Sequence, residues 1–265
     1  MIIRDLSLFF YDILIVVFLM NYVNSSFFGK VFMERIDKII GSQTLYSRKD
    51  VKDLIRKKRV LVNGHIVLKP DIKVDADFDR ISIDGREIKI KKNVYLMLNK
   101  PKGYISATED RNMATVLDLV PKEYKHRNLF PAGRLDKDTT GLMIITDDGD
   151  FAHNILSPQK HVKKVYKVVI DIPLSNKMVE EFNEGIVLND GECKSATLEI
   201  IDSYMALVTL IEGRYHQIKR MFGCFGAKVL ELQRISIGNF MLPEDLKLGE
   251  CRELTEEELK NIQER

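Results

Sequence analysis

Asp136 follows Arg134 by two positions in the run Gly133-Arg134-Leu135-Asp136-Lys137-Asp138-Thr139-Thr140-Gly141-Leu142. In extended backbone successive side chains alternate, so Arg134 and Asp136 face one side and Leu135 the other. That side offers a cation and a carboxylate together, and an ionised carboxylate can attack a carbon centre and later leave it. The commonest use of a loop Asp near an Arg is a structural ion pair or a turn, so the pair alone does not make a site. Two other stretches hold residues of reactive type. Lys164-Val165-Tyr166-Lys167-Val168 puts a tyrosine in a β-rich run, where tyrosine is ordinarily core. Glu212-Gly213-Arg214-Tyr215-His216-Gln217-Ile218-Lys219-Arg220-Met221-Phe222 carries Lys219 on a helical pattern. There Ile218, Met221, Phe222 and Phe225 form an apolar stripe that docks the helix and leaves Lys219 on its flank.

Metal and cofactor chemistry find no support. His65, His126, His153, His161 and His216 lack partners at ligand spacing, and no Gly-rich phosphate loop precedes a helix. Cys193, Cys224 and Cys251 are odd in number and widely separated, which fits neither a disulfide framework nor a zinc site and suits a reduced cytoplasm.

The reactive residues belong to a segment that begins after a short basic joint at Lys91-Lys92. Strands are expected near 95–98, 142–145, 165–170, 195–201, 206–211 and 228–233, with helices near 149–156, 176–184 and 216–225. Strands outnumber helices and short turns separate many of them, so the class is α+β on a largely antiparallel sheet. The unit is expected over 93–258. A helix over 255–265 is announced by the capping box Thr255-Glu256-Glu257-Glu258, with Leu254 and Leu259 as its staple.

Residues 33–91 read as a separate small α/β domain, in the order helix, helix, short strands. Ser47 is the expected N-cap of the second helix, with Asp50 three residues on and Val51, Leu54 and Ile55 as its apolar face. Asn63-Gly64 between β-rich runs is a strong hairpin signal, and Asp84-Gly85 marks a second turn. Between Thr44 and Val60 seven basic residues (Arg48, Lys49, Lys52, Arg56, Lys57, Lys58, Arg59) stand against two acidic ones, an excess larger than the net +2 of the whole chain. Arg48, Lys52 and Arg56 share one helix face, a basic stripe suited to a phosphate backbone. A solvated face is the bland alternative.

Ahead of this, residues 1–32 form an apolar leader with its densest run at Leu6–Met20, short for a bilayer span of ~20 residues. It reads as sequence upstream of a start at Met33 and outside the fold; a membrane anchor or a targeting peptide is the competing reading. At 265 residues, 45% hydrophobic and 30% charged, the chain is long and apolar enough for two cored domains and is not of disordered composition.

Four blocks then fall in a recognisable order. They are Leu98-Asn99-Lys100-Pro101-Lys102-Gly103, the Gly133–Leu142 run, Lys164–Val168 and Glu212–Phe222. Together they resemble the RsuA/RluA-type pseudouridine synthases, while Glu34–Lys38, Ser47-Arg48-Lys49 and Val60-Leu61-Val62-Asn63-Gly64 resemble the S4 RNA-binding domain. The resemblance implies an isomerase that converts uridine to pseudouridine in ribosomal RNA and needs no cofactor; a monomer is expected. Asp136 would be the essential carboxylate, Tyr166 the ring against which the base stacks, and Lys219 the basic partner of Asp136. RNA contact is implied for Arg35, Ser47, Arg48, Lys49, Lys52, Arg56, Lys57, Arg59 and Asn63 of the first domain, and for Arg134, Arg214 and Arg220 of the second. His216 reads as structural or RNA-adjacent. An S4-like module ahead of the synthase unit, with Lys and not Arg at position 219, resembles the RsuA branch, and overall similarity implies 16S rRNA as the target. A 23S-directed synthase of the RluB/E/F type, and a non-catalytic RNA-binding ribosome-assembly factor, are the alternatives. Whether the carboxylate bonds C1′, adds to uracil C6 or removes a sugar proton to give a glycal stays open, with the glycal route the expectation from the family.

Overall fold

In the computed structural model, which describes residues 33–264, the chain forms two compact units divided between Ile90 and Lys91. The reading of residues 1–32 lies outside the described residues. Among the described residues no helix is long and apolar enough to cross a membrane.

The first unit opens on a strand, β1 (Met33–Arg35), where the sequence suggests a helix directly. This strand pairs with β4 (Lys73–Asp75), a contact 40 residues away that no local pattern announces. Helices α1 (Ile36–Gln43) and α2 (Arg48–Arg56) follow. The expected cap of α2 is present: the Ser47 hydroxyl accepts from the Asp50 amide while the Asp50 carboxylate accepts from the Ser47 amide. Val51, Leu54 and Ile55 are buried with Ile36, Ile39 and Ile40 against a small sheet, and Arg48, Lys49, Lys52, Arg56 and Lys57 stay exposed. That sheet joins β2 (Val60–Val62), β3 (His65–Ile66), β5 (Ile81–Ile83) and β6 (Arg86–Glu87), all antiparallel. Asn63 and Gly64, both at positive φ, turn β2 into β3, and Asp84 with Gly85 does the same between β5 and β6.

The second unit is built on one nine-stranded sheet. In chain order its strands are β7 (Tyr95–Lys100), β8 (Phe130–Pro131), β9 (Thr140–Thr146), β10 (Lys164–Ile170), β13 (Thr197–Ile200), β14 (Met205–Leu210), β15 (Val229–Ile237), β16 (Phe240–Met241) and β17 (Cys251–Glu253). The short hairpin β11 (Val187–Leu188) and β12 (Gly191–Glu192) stands apart from it. Across the sheet the order is β13-β14-β10-β15-β9-β7-β17, with β8 and β16 pairing β9 and β15 from outside that path. Every pairing is antiparallel except β15 with β9. The α+β class and largely antiparallel sheet therefore stand. Helices α3 (Gly149–Leu156) and α4 (Asn176–Glu184) occupy the expected ranges, α5 (Gln217–Gly223) is shorter, and α6 (Glu256–Gln263) carries the Thr255–Glu258 capping box.

β7 and β9 are apolar at successive positions because both their faces are covered. Met97, Leu142 and Ile144 pack with Phe151, Ile155 and Ile262 from α3 and α6. On the opposite face Leu96, Leu98, Met143 and Ile145 pack with Val116, Val120, Leu129 and Leu135. The other half of the sheet buries Val168, Ala206, Val208 and Leu232 under Met178 and Phe182 of α4 and Ile218, Met221 and Phe222 of α5. The two halves meet at the parallel pairing, where Gln233 stands opposite Thr140 and Arg234 opposite Gly141.

That junction requires glycine at 141. Its φ is +102°, and a Cβ built there would lie 2.2 Å from the carbonyl oxygen of Arg234 and 2.8 Å from its amide nitrogen. Substitution therefore strains the backbone and pushes β15 away together. Gly141→Ala is expected to destabilise the protein by about 3 kcal/mol or more, read as a lowered denaturation midpoint. A midpoint within error of the unsubstituted protein would show that the two strands do not meet as described.

Candidate active site

Leu135 is buried in the cluster on one face of β7 and β9, which anchors the loop that follows it. Arg134, Leu135 and Asp136 all reach the wall of a cavity of about 650 Å³. Arg134 is exposed there with no hydrogen-bonding partner among the described residues, while Asp136 is about one-quarter exposed.

The loop is held by buried donors. Lys100, at the end of β7, is 0% exposed, and its ammonium donates to the carbonyl oxygens of Asp136 (2.9 Å) and Thr139 (2.8 Å), with longer contacts to Pro101 and Lys137. The Ser106 hydroxyl donates to the Leu135 carbonyl at 2.7 Å and accepts from its amide at 2.9 Å. The Gly103 amide donates to Lys137 O at 2.8 Å. Neither Lys100 nor Ser106 was assigned a role from sequence. The available signal was a lysine closing an otherwise apolar strand run, Tyr95-Leu96-Met97-Leu98-Asn99-Lys100.

The cation that meets Asp136 comes from the other half of the sheet. Ile218, Met221 and Phe222 seat α5 in the core, and Lys219 Nζ lies 3.0 Å from Asp136 Oδ2 and 2.7 Å from Asp138 Oδ1. Burial alone would lower the Lys219 pKa, but hydrogen bonds to Asp138 and Asp136 outweigh it, and the net direction is upward. The hydrogen bond from Lys219 conversely holds the Asp138 carboxyl below its ordinary range. Lys219 thus stays charged and touches Asp136, a residue of the cavity wall. Asp138, unassigned from sequence, is its second tether.

The turn into α5 is shaped by the rest of that block. The buried Gln217 side chain accepts from the Arg214 amide at 3.0 Å and donates to Glu212 at 2.7 Å. Arg214 donates to the carbonyl oxygens of Asp190, Gly191 and Glu192, and Arg220 pairs with the Asp190 carboxylate. Both guanidiniums, expected to contact RNA, grip the β11–β12 turn. Those two arginines draw the Asp190 pKa down to about 2, Arg220 most strongly. His216 adopts a left-handed conformation (φ +47°), stacks on the 74% exposed Tyr215 at 3.8 Å between ring centroids, and places Nε2 3.5 Å from Asp136 Oδ1. Sequence reasoning did not place it that close to Asp136.

Tyr166, on β10, packs against both neighbouring core clusters and lines the same cavity. Asp136, Tyr166 and Lys219 therefore converge, two on the wall and the third in contact with the first. In the first unit the expected RNA-contact residues form an exposed basic surface in which several already hold structural partners. Arg35 pairs with Asp37, Arg56 with Asp53 and Arg59 with Asp84. Asn63 donates to Asp79 and accepts from the Arg80 amide.

Comparison with known proteins places this geometry. The family profile described as RNA pseudouridylate synthase matches residues 94–223, and the S4 domain profile matches residues 34–81. The ribosomal small subunit pseudouridine synthase A of Escherichia coli strain K12 is 41% identical over 231 residues, covering 86% of this chain and 99% of that protein. Its namesake from Yersinia pestis is 40% identical over 231 residues, with 86% and 97% covered. An uncharacterised RNA pseudouridine synthase of Bacillus subtilis strain 168 is 38% identical over 235 residues, with 87% and 98% covered. A crystal structure of a pseudouridylate synthase superposes with a TM-score of 0.62 at 37% identity, covering 86% of this chain and 99% of that one.

Burial pushes two lysines at the site down to about 8: Lys100, partly offset by Asp138 and Asp136, and Lys164, further lowered by Arg234. Their unfolded pKa is the ordinary 10.5. Between these values the unfolded chain binds more protons, so their contribution to stability is level below pH 8 and rises with pH across that window. Neutral Lys100, however, has one donor fewer for the loop carbonyls. Activity is therefore expected to fall above about pH 8 while the melting temperature does not. Parallel pH–rate and melting profiles test this; activity sustained to pH 10, or lost only as the protein unfolds, would contradict it.

Proposed function

The chain belongs to the RNA pseudouridylate synthase family, and from that premise we propose that it isomerises one uridine of small-subunit ribosomal RNA, 16S rRNA, at Asp136. The observation that carries this is the Asp136 carboxylate, in contact with the Lys219 ammonium at 3.0 Å, on the wall of a cavity whose lining includes Tyr166. A uridine must leave its stack to be attacked, and the cavity is of a size to take a nucleoside. Tyr166 offers the everted base a face, and Arg134, exposed at the rim, is placed to meet the RNA backbone.

Bonding to C1′, addition at C6 and removal of a sugar proton all require Asp136 as carboxylate. Lys219 lies 3.0 Å from Asp136 Oδ2 and fixes the orientation of that carboxylate. Lys219 is therefore a positioning residue that acts through Asp136. The substrate assignment is supported by the name shared by the Escherichia coli and Yersinia pestis relatives and by the near-complete coverage of both. The exposed stripe of Arg48, Lys49, Lys52, Arg56 and Lys57, with Arg35, Ser47, Arg59 and Asn63 around it, supplies sequence-independent grip on RNA phosphates. Arg214 and Arg220 meet the RNA from the surface of the turn they hold. The protein works in the cytoplasm as a monomer on rRNA or an assembly intermediate.

Asp136→Asn is expected to abolish pseudouridine formation on 16S rRNA while RNA affinity stays within about twofold, because the amide is isosteric but cannot attack or accept the proton. Equal activity in that variant, read by pseudouridine mapping of rRNA from a complemented deletion strain, would remove Asp136 from the chemistry. Lys219→Met should lower kcat about 100-fold with KM little changed, and Lys219→Arg should recover most of it. A KM effect alone would make Lys219 an RNA-binding residue.

A further inference from the structure

Two cations of the cavity wall take no part in holding the Asp136 loop. Arg234 is the cross-strand neighbour of Tyr166 between β15 and β10, so the two side chains stand side by side on one face. Arg234 is 3% exposed; its Nε donates to Leu142 O at 2.7 Å, and one terminal nitrogen is buried without a hydrogen-bond partner among the described residues. Lys164 precedes Tyr166 by two residues on the same face, is equally buried, and donates only to the carbonyl oxygens of Ile155 and Val162. Among the described residues neither meets a carboxylate. A guanidinium cannot shed its proton, and burying it without a counter-charge is costly. A fold keeps such a pair where an occupant supplies the missing negative charge.

The uridine that enters is neutral, but it does not stay so. When N1–C1′ breaks, both bonding electrons go to the ring, whose negative charge spreads over N1, O2 and O4. The sugar either bonds an Asp136 oxygen or passes its C2′ proton to Asp136. The ring then turns and C5 supplies the electron pair for the new C5–C1′ bond; where C1′ was bonded to Asp136, that O–C1′ bond breaks and its pair returns to the carboxylate. The C5 proton is lost to water and N1 takes one from water. A C2′ proton held by Asp136 returns, so nothing net enters or leaves. We propose that Arg234, with Lys164 beside it, stabilises the detached uracil ring as an anion between these two bonds. Positive charge fixed in a site of low dielectric acts on developing charge without reorganising. A charged floor also serves the ring in every orientation it passes through, as a single hydrogen bond would not. An RNA phosphate is a poorer fit, since it would have to shed its hydration beneath the base-stacking tyrosine.

This inference rests on the pseudouridine-forming reading, and its test separates the two. Single-turnover rates are measured on two RNAs identical but for uridine or 5-fluorouridine at the target, following loss of the starting nucleoside. Fluorine stabilises the ring anion, so its departure should depend less on the protein's cations. Arg234→Gln is expected to slow the uridine RNA about 100-fold and the fluorinated RNA about 10-fold or less, with RNA affinity unchanged. Lys164→Gln, which leaves the strand junction at residue 234 untouched, should show the same contrast and keeps it readable if the Arg234 variant does not fold. Equal deficits on both RNAs, or weakened binding in place of slowed conversion, would overturn the proposal. An unsubstituted protein inactive on the uridine RNA would refute the pseudouridine reading itself.

Discussion

An ionised carboxylate beside a cavity that must accept a flat, weakly polar base is unstable unless a cation meets it. Here that cation comes from the far half of the sheet. Asp136 rides on the loop into β9, anchored by Leu135 in one core, while Lys219 rides on α5, anchored by Ile218, Met221 and Phe222 in another. The 3.0 Å contact between them exists only because β9 and β15 pair side by side. Gly141 permits that approach, Lys100 and Ser106 set the loop at its end, and Tyr166, packed against both clusters, closes the seam. Fold and chemistry thus share one joint.

Charge is distributed with a corresponding economy. The acidic tethers of Lys219 are Asp136 and Asp138, the buried Lys100 and Lys164 are held by main-chain carbonyls, and Arg234 keeps one buried nitrogen without a partner among the described residues. The cavity wall consequently carries Arg134, Lys137, Lys164, Arg214 and Arg234 against the carboxylates of Asp136 and Glu212. The first unit repeats the theme in water, with a basic helix face held by an apolar one. Screening makes the exposed stripe a source of salt-dependent grip, whereas the buried cations keep their strength at any ionic strength.

Local signals were legible in the sequence because they rest on local physics. The Ser47–Asp50 and Thr255–Glu258 caps, the Asn63-Gly64 hairpin and helices 149–156 and 176–184 each depend on residues within one turn or two of each other. The identities of Asp136, Tyr166 and Lys219 came from the order of four motif blocks, not from periodicity, which reads Tyr166 as core and Lys219 as surface. The pairings of β1 with β4 and of β9 with β15 were not legible, since they join segments tens of residues apart. The burial of Lys100, Lys164 and Arg234 was not legible because hydropathy assigns cations to solvent, and only the fold shows the carbonyls that surround the two lysines.

The most direct measurement is a crystal structure of the protein bound to an RNA stem-loop carrying 5-fluorouridine at the target position. The base should lie in the cavity on the ring of Tyr166, with its ribose C1′ or C2′ in contact with an Asp136 oxygen and Lys219 still on the other oxygen. A target nucleotide left in its stack, or a ribose lodged away from Asp136 with the 136–219 contact broken, would contradict the account.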